Sequence, residues 1–221
     1  PACDHLEQSV FPAETLGKQY FVPAPTGPNR SAVARVVRIY GNVDGTTLTY
    51  APSMPPHCPS TIGAGEVVDC GVVTGDFEVT GSSEFAVGSF QLGGTVVDVN
   101  QVLGDPSQSL MASVEQYRTK YVFLAPLDYE ENFADVVLPL DTTVTLDGVA
   151  LAARSALPIA GGYGILRVSL EGVNARTNGA HVLESSDPVG LQVLGYGSFT
   201  SYQYPGGLNL KQIAPPPPLT K

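Results

Sequence analysis

Three histidines, His5, His57 and His181, are the residues of this chain that could act as a general base near neutral pH. His5 lies near the start of the sequence, His57 lies in a proline-rich turn, and His181 begins a predicted strand. The partners of a Ser-His-Asp triad can lie far apart in sequence, so a hydrolytic role for His181 is one possibility. However, the chain contains no Gly-x-Ser-x-Gly nucleophile elbow. We therefore expect a structural His181, and we predict no catalytic residue and no enzyme.

Carboxylates are concentrated in residues 128–135, which include Asp128, Glu130, Glu131 and Asp135. Several carboxylate oxygens in one loop could bind Ca²⁺, which takes about six to eight oxygen ligands. The spacing differs from that of an EF-hand loop, and no glycine stands where such a loop needs its turn. A pair of these acids could also act in a glycosidase if the fold set the required separation. We favour a solvated loop between two strands and predict neither a metal site nor a cofactor, with these four acids as the candidate Ca²⁺ ligands.

Cysteine usage bears on the compartment in which the chain folds. Cys58 and Cys70 bracket a short segment, and a bridge between them would stabilise the fold by roughly 3 kcal/mol in the chain-entropy model. Cys3 is left over, so it could pair with a cysteine outside this chain or stay free. Three unpaired buried thiols are the alternative. A zinc site is disfavoured, because no Cys-x-x-Cys motif or second histidine joins His57 and Cys58.

Composition excludes several classes of partner. The chain has 221 residues, of which 14% are charged, and its formal net charge is −10. So acidic a chain has no basic footprint for nucleic acid or for an anionic membrane surface. No apolar run approaches the roughly 18 residues that a membrane-spanning helix requires. Because the sequence begins at Pro1 without a signal-peptide pattern, we expect a piece of a longer protein with further domains.

The pattern of elements is almost wholly that of strands. Short runs rich in β-branched and aromatic residues alternate with turns containing Gly, Pro, Asn and Asp. This pattern predicts an all-β fold, an antiparallel β-sandwich with little helix. The dipeptides Asp44-Gly45 and Asp147-Gly148 are typical of tight hairpin turns, so we expect a hairpin at each. A further strand pair is expected between residues 181–185 and 190–196, around the turn Ser186-Asp187-Pro188.

One segment and one internal similarity stand apart from this pattern. Residues 105–116 have the chemistry of a helix start, with Asp105 as a cap and Pro106 at the first helical position, so we expect at most one or two helical turns there. Two threonine-rich segments that begin near Asp44 and Asp141 resemble each other. They indicate two packed β-sandwich halves within a module of residues 1–213. The expected halves are residues 18–104 and 105–213, and the proline-rich residues 214–221 are expected to form a linker or tail.

Several motifs resemble those of a known family, the N-terminal domain of IgGFc-binding proteins. The resemblance covers most of residues 66–210, whereas residues 1–60 match poorly apart from a threonine-rich hairpin. Its most specific element is Ser-Tyr-x-Tyr-Pro followed by glycine at residues 201–207. The matching residues are Gly104, Asp105, Pro106, Glu115, Gln116, Tyr117, His181, Pro188, Gly190, Gly195, Tyr196, Ser201, Tyr202, Tyr204, Pro205 and Gly207. They are typical of architecture, since glycines permit bulges and left-handed turns and prolines end strands.

The resemblance implies a non-catalytic, secreted or cell-surface module that binds an extracellular protein or glycan, as in adhesion. The low lysine content resembles a bacterial surface protein, and we do not transfer Fc binding to this chain. Exposed strands, or loops carrying Tyr129, Phe133 and Tyr163, are the expected contact surface. A structural spacer domain is the first alternative. The second is a calcium-dependent or carbohydrate-active enzyme that uses Asp128, Glu130 and Glu131.

Overall fold

The computed structural model describes residues 8–98, 103–152, 155–171 and 179–215. Within these residues there are fifteen strands and almost no helix, which confirms the all-β antiparallel prediction. One α-helix, α1 (Gly94–Val97), and two short 3₁₀ turns accompany the strands. Cys3 and His5 lie outside the described residues, as does most of the expected proline-rich tail.

Two antiparallel curled sheets divide the strands between them along the sequence. The first sheet contains β1 (Gly17–Val22), β2 (Arg35–Gly41), β3 (Thr46–Ala51), β4 (Thr61–Ile62), β5 (Val67–Val73), β6 (Phe77–Gln91) and β7 (Gln108–Leu110). The second contains β8 (Arg118–Ala125), β9 (Glu131–Pro139), β10 (Val144–Leu146), β11 (Val149–Ala150), β12 (Leu157–Ala160), β13 (Tyr163–Ser169), β14 (Gly179–Gly197) and β15 (Thr200–Pro205). The change of sheet therefore falls between β7 and β8.

The first sheet is built around β6, whose 15 residues are long enough to pair with two strands on each side. β2 pairs with residues 85–91 of β6 and β3 pairs with residues 78–81, both in the antiparallel sense. β2 and β3 therefore follow each other along the same side of β6, because β1 occupies the opposite side at both stretches. The expected hairpin at Asp44-Gly45 is wrong, since this turn shifts the chain along β6 without reversing its direction.

The second sheet is built in the same way around β14, a single strand of 19 residues. It pairs with β8 and β10 near its start and with β9 and β15 near its end. The expected turn at Ser186-Asp187-Pro188 is wrong, because the chain runs straight through it. Pro188 is tolerated there since the pairing with β8 is interrupted between Glu184 and Val189, so its missing N–H leaves no gap in the ladder.

Two other local predictions have opposite outcomes. Asp147-Gly148 does form a tight hairpin turn between β10 and β11, with positive φ angles of 52° and 78° that suit this turn type. The helix start expected at Asp105 and Pro106 is wrong, because β7 follows these residues and pairs with β6, but the expected limit of one or two turns within residues 105–116 holds. Only a single 3₁₀ turn forms, at Val114–Gln116.

Each sheet has a hydrophobic core of its own. The core of the first sheet includes Tyr20, Ile39 and Val87, and that of the second includes Tyr121, Leu183 and Val193. A disulfide joins Cys58 to Cys70 at the first core and ties the loop after β3 to β5. One smaller cluster contains residues from both sheets, such as Phe21 of β1 and Val137 of β9, and a second packs Phe133 of β9 against Val33 and Leu92, which flank strands of the first sheet. Both clusters therefore connect the two sheets.

Candidate functional site

Several of the motif residues lie where the two sheets meet, a junction that we call the seam. Gly104 N–H donates to the carbonyl of Gly197, and the N–H of Asp105 donates to Oγ of Ser201 over 2.9 Å. Gln203, on the same face of β15 as Ser201, donates to the carbonyls of Ser89 and Ser107 in the first half of the chain. The Gly-Asp-Pro and Ser-Tyr-x-Tyr-Pro motifs therefore meet and act as structural connections.

The Glu115-Gln116-Tyr117 motif anchors the ends of the described chain. Gln116 Nε2 donates to the carbonyls of Thr15 and Lys211, and its Oε1 accepts from the N–H of Lys211. Tyr117 packs over Gly190, where an added Cβ would lie 2.6 Å from the ring. Only glycine fits at position 190 without moving Tyr117.

Buried charges cross the seam as well. Asp135, on β9, accepts hydrogen bonds from the N–H and hydroxyl of Thr26 in the segment after β1. Arg167, on β13, donates to Asp76 over 2.9 Å and to the carbonyl of Ala24. Burial raises the pKa of Asp135 to about 6, although the Thr26 hydrogen bonds and the charge of Arg167 favour the ionised form. Asp135 therefore fastens one half to the other and is not available as a Ca²⁺ ligand.

The other candidate Ca²⁺ ligands also fail to converge. Asp128 and Glu130 are exposed, and Glu131 begins β9, so the expected loop of residues 128–135 is half strand. Among the described residues, no group of three or more His, Cys, Asp or Glu side chains could hold a metal ion. Two causes raise the pKa of Glu131 to about 7: its burial, which is the larger, and the neighbouring carboxyl group of Glu171.

His181 is buried in the second sheet and belongs to the fold. Its Nδ1 lies 2.7 Å from Oδ2 of Asp147, and its ring stacks on Phe123 with the centroids 5.4 Å apart. Its Nε2 has no hydrogen-bond partner among the described residues, so no serine hydroxyl is in place to be activated. A hydrolytic triad at His181 is therefore not formed.

The aromatic residues expected to carry the contact surface behave differently from one another. Phe133 is fully buried within β9, so its expected exposure in a loop is wrong. Tyr163 begins β13 and stacks on Phe21. Tyr129 packs edge-on against Tyr202, which in turn stacks on Tyr204 and donates to Oδ1 of Asn132. Tyr202 and Tyr204 pack against the second core, and Tyr129 and Tyr163 are partly buried.

An exposed apolar surface that the sequence reasoning missed lies on β8. Val122 and Leu124 point outward with 67% and 62% of their area exposed, and Leu127 beyond the strand is 74% exposed. Ala180 and Val182 of β14 pair with these strand residues and extend the surface. We call these five residues the β8 patch. The sequence carried a signal for it, since residues 121–127 are nearly all apolar and therefore place apolar side chains on both faces of the strand.

The backbone next to the β8 patch forms a sheet edge. Among the described residues, β8 pairs with β14 alone. The N–H and C=O of Leu124 point away from β14, because both bond to the hydroxyl of Tyr204. Alternation along an antiparallel strand directs the N–H and C=O groups of Val122 and Lys120 to the same open side. These groups can pair with an added strand.

Comparisons with known proteins give one finding about the chain as a whole. The family model described as IgGFc binding protein matches residues 1–195. The match includes residues 1–60, where the sequence reasoning found little resemblance, and it stops before the Ser-Tyr-x-Tyr-Pro element. No curated protein and no solved structure shows significant similarity to the chain. Within the described residues, no helix is long and apolar enough to cross a membrane.

Proposed function

We propose, since the chain belongs to the IgGFc-binding protein family, that it is a non-catalytic binding module of a larger extracellular protein. The Cys58–Cys70 disulfide supports an oxidising compartment, because such bridges persist mainly in secreted and surface proteins. The buried position of His181 speaks against a hydrolase, and among the described residues Asp128, Glu130 and Glu131 belong to no cluster that could hold a metal ion.

The ligand that we propose is a protein, and the β8 patch is the observation that carries this proposal. Val122, Leu124 and Leu127 are aliphatic and largely exposed, whereas the apolar side chains on the opposite face of β8 are buried in a core. Contiguous exposed apolar surface marks interaction sites in soluble proteins. The adjoining open edge of β8 allows a partner segment to add as a strand, with main-chain hydrogen bonds supplying affinity and the patch supplying selectivity.

Charges at one end of the patch define its boundary. Lys120 pairs with Glu184 at 2.8 Å across β8 and β14, and both side chains are more than half exposed. Such an exposed pair contributes little to stability. It marks a polar rim beside the apolar patch, the arrangement that protein interfaces show.

The test measures binding of the purified chain to an immobilised panel of extracellular glycoproteins that includes an immunoglobulin G Fc fragment. We expect at least one panel member to bind saturably. The variant Leu124→Asp should weaken that binding by about tenfold or more, because a charge would be buried against the partner. The fold should persist, since the side chain of Leu124 is mostly exposed.

The matched control is Val72→Asp on β5, the edge strand of the other sheet, where Val72 is 60% exposed. This variant should bind as the unmodified chain does. Absence of saturable binding across the panel, or equal loss in both variants, would refute a protein ligand at β8. A dimer in sedimentation that Leu124→Asp dissolves would also refute it and would assign the edge to self-assembly.

A further inference from the structure

A groove of about 250 Å³ lies on the face of the first sheet that points away from its core. Ala86 and Gly88 of β6 and Leu110 of β7 form its floor. The segment of residues 8–16 covers one side, held by a hydrogen bond from the N–H of Leu110 to Oε1 of Gln8. The groove is remote in the fold from the β8 patch, which belongs to the second sheet.

Aromatic rings lie close to the backbone of β6 at the groove. Residues that neighbour Gly88 on this face of β6 and β2 carry two of these rings, Phe90 and Tyr40. An added Cβ at Gly88 would lie 3.1 Å from the ring and hydroxyl of Tyr40 and 3.3 Å from the ring of Phe90. The glycine therefore allows both rings to approach the strand, and Phe11 from the covering segment adds a third ring to the lining.

Amide side chains line the same groove. Asn42 and Gln108 are half-buried, and their side-chain amides have no hydrogen-bond partner among the described residues. Gln8 contributes a third amide, whose oxygen is already used by Leu110. A side-chain amide offers two donors and an acceptor, so it can bind adjacent hydroxyl groups of one ligand.

Among the described residues, none that lines the groove is charged, although the chain contains 32 Lys, Arg, Asp and Glu residues in total. The guanidinium of Arg38 stacks on Phe90 outside this lining and is paired with Asp69 at 3.0 Å. Among these lining residues a charged ligand would find no partner for its charge and would lose hydration without compensation. The lining therefore suits a neutral ligand.

We propose that this groove binds a neutral sugar ring, the terminal residue of a glycan. The C–H face of a pyranose can pack on the rings of Tyr40 and Phe90 while its hydroxyls bond to the amides of Asn42 and Gln108. The volume lies just below the range of about 300–1,000 Å³ for drug-sized ligands, which fits one ring. A purely apolar ligand fits less well, because it would leave both amides buried without partners.

The experiment is ligand-observed saturation-transfer NMR with glucose, galactose, mannose, N-acetylglucosamine and fucose, each added alone to the full chain. We expect at least one of these to bind saturably, with a dissociation constant on the order of millimolar. A variant with Asn42→Ala and Gln108→Ala should weaken binding by about tenfold. The control Asn209→Ala removes an exposed amide outside the groove and should leave binding unchanged.

A second variant, Ala86→Leu, fills the floor of the groove and should abolish sugar binding. Thermal unfolding of each variant establishes that the fold is retained, and the amide variant decides the matter if Ala86→Leu does not fold. Three outcomes overturn the proposal: no saturable binding of any of the five sugars, binding that survives loss of both amides, or equal weakening by Asn209→Ala. The outcome of this sugar-binding test does not depend on whether a protein binds at β8. Leu124 lies neither in the groove nor on the strands that form it, so Leu124→Asp does not alter the groove.

Discussion

Replacing Asp135 with Asn tests whether the seam carries a buried charge. Asp135 is 2% exposed and accepts two hydrogen bonds from Thr26, with Arg167 and Asp76 nearby. An Asn side chain keeps an oxygen that can accept from the Thr26 N–H and removes the charge. The variant therefore changes the electrostatics of the seam while keeping its shape.

The raised pKa sets the sign and size of the effect. The folded pKa of about 6 exceeds the ordinary value of 3.8, so the folded chain holds this proton more tightly than the unfolded chain does. This contribution to stability is fully present below about pH 4 and is lost as the pH rises to about 6. At about 1.4 kcal/mol for each pH unit between the two values, the loss amounts to about 3 kcal/mol above pH 6.

Urea unfolding of the two chains between pH 4 and pH 8 measures this contribution as a difference. The free energy of unfolding of Asp135→Asn, minus that of the unmodified chain, should rise by about 2 kcal/mol across this range. The contributions of the other titrating carboxylates to stability are the same in both chains and therefore cancel in this difference. A difference independent of pH, or one that falls as the pH rises, would show that Asp135 is not held as a desolvated acid.

Asp69 provides a control of opposite sign. Hydrogen bonds from Gly71 N–H and Arg38 lower its pKa, so its contribution is present above the ordinary pKa and is lost as the pH falls. The variant Asp69→Asn should therefore lower the stability at neutral pH, by a small amount because the pair is about half exposed.

Three further changes test the architecture. Gly190→Ala should lower the free energy of unfolding by about 1–3 kcal/mol, measured by urea unfolding, because the new Cβ would meet Tyr117 at 2.6 Å. Gln203→Ala should cost about 1–3 kcal/mol in the same assay, because two carbonyls at the seam lose their donor. Replacing Cys58 and Cys70 together by Ser should cost about 3 kcal/mol, and added reductant should then have no further effect. If the free energy of unfolding of any one of these variants equals that of the unmodified chain, the contact that the variant changes does not stabilise the fold.

The strands themselves were predictable because their pattern is local. Alternation in β2, the β-branched and aromatic runs of β5 and β8, and the Asp147-Gly148 turn could be recognised from a few neighbouring residues. The pairing of the strands on either side of Asp44-Gly45 could not be predicted in this way. A turn dipeptide does not specify whether the chain reverses its direction or continues along a longer partner strand. That outcome is decided by the length of β6, which lies more than thirty residues later in the sequence.

The acidic segment shows why the burial of a residue is harder to predict from the sequence than the strand that carries it. Asp135 and Phe133 lie in a run of charges that resembles a loop, and both are buried in β9. Burial of Asp135 depends on Thr26, 109 residues away in sequence, and on Arg167 from another strand. Partners so distant leave no local signal, so the residue types indicated a surface site where the fold places a core contact.

The same contrast limits what family membership conveys about this chain. The motifs that carry the resemblance, such as Gly104-Asp105-Pro106 and Ser201-Tyr202, connect the two sheets and hold the chain ends. The two surfaces proposed here for ligands, the β8 patch and the groove at Gly88, contain none of those motif residues. A relative can therefore keep every motif and differ completely at both surfaces. Family membership thus transfers the fold, whereas the two ligands proposed above depend on the side chains at Val122 and Leu124 and at Asn42 and Gln108.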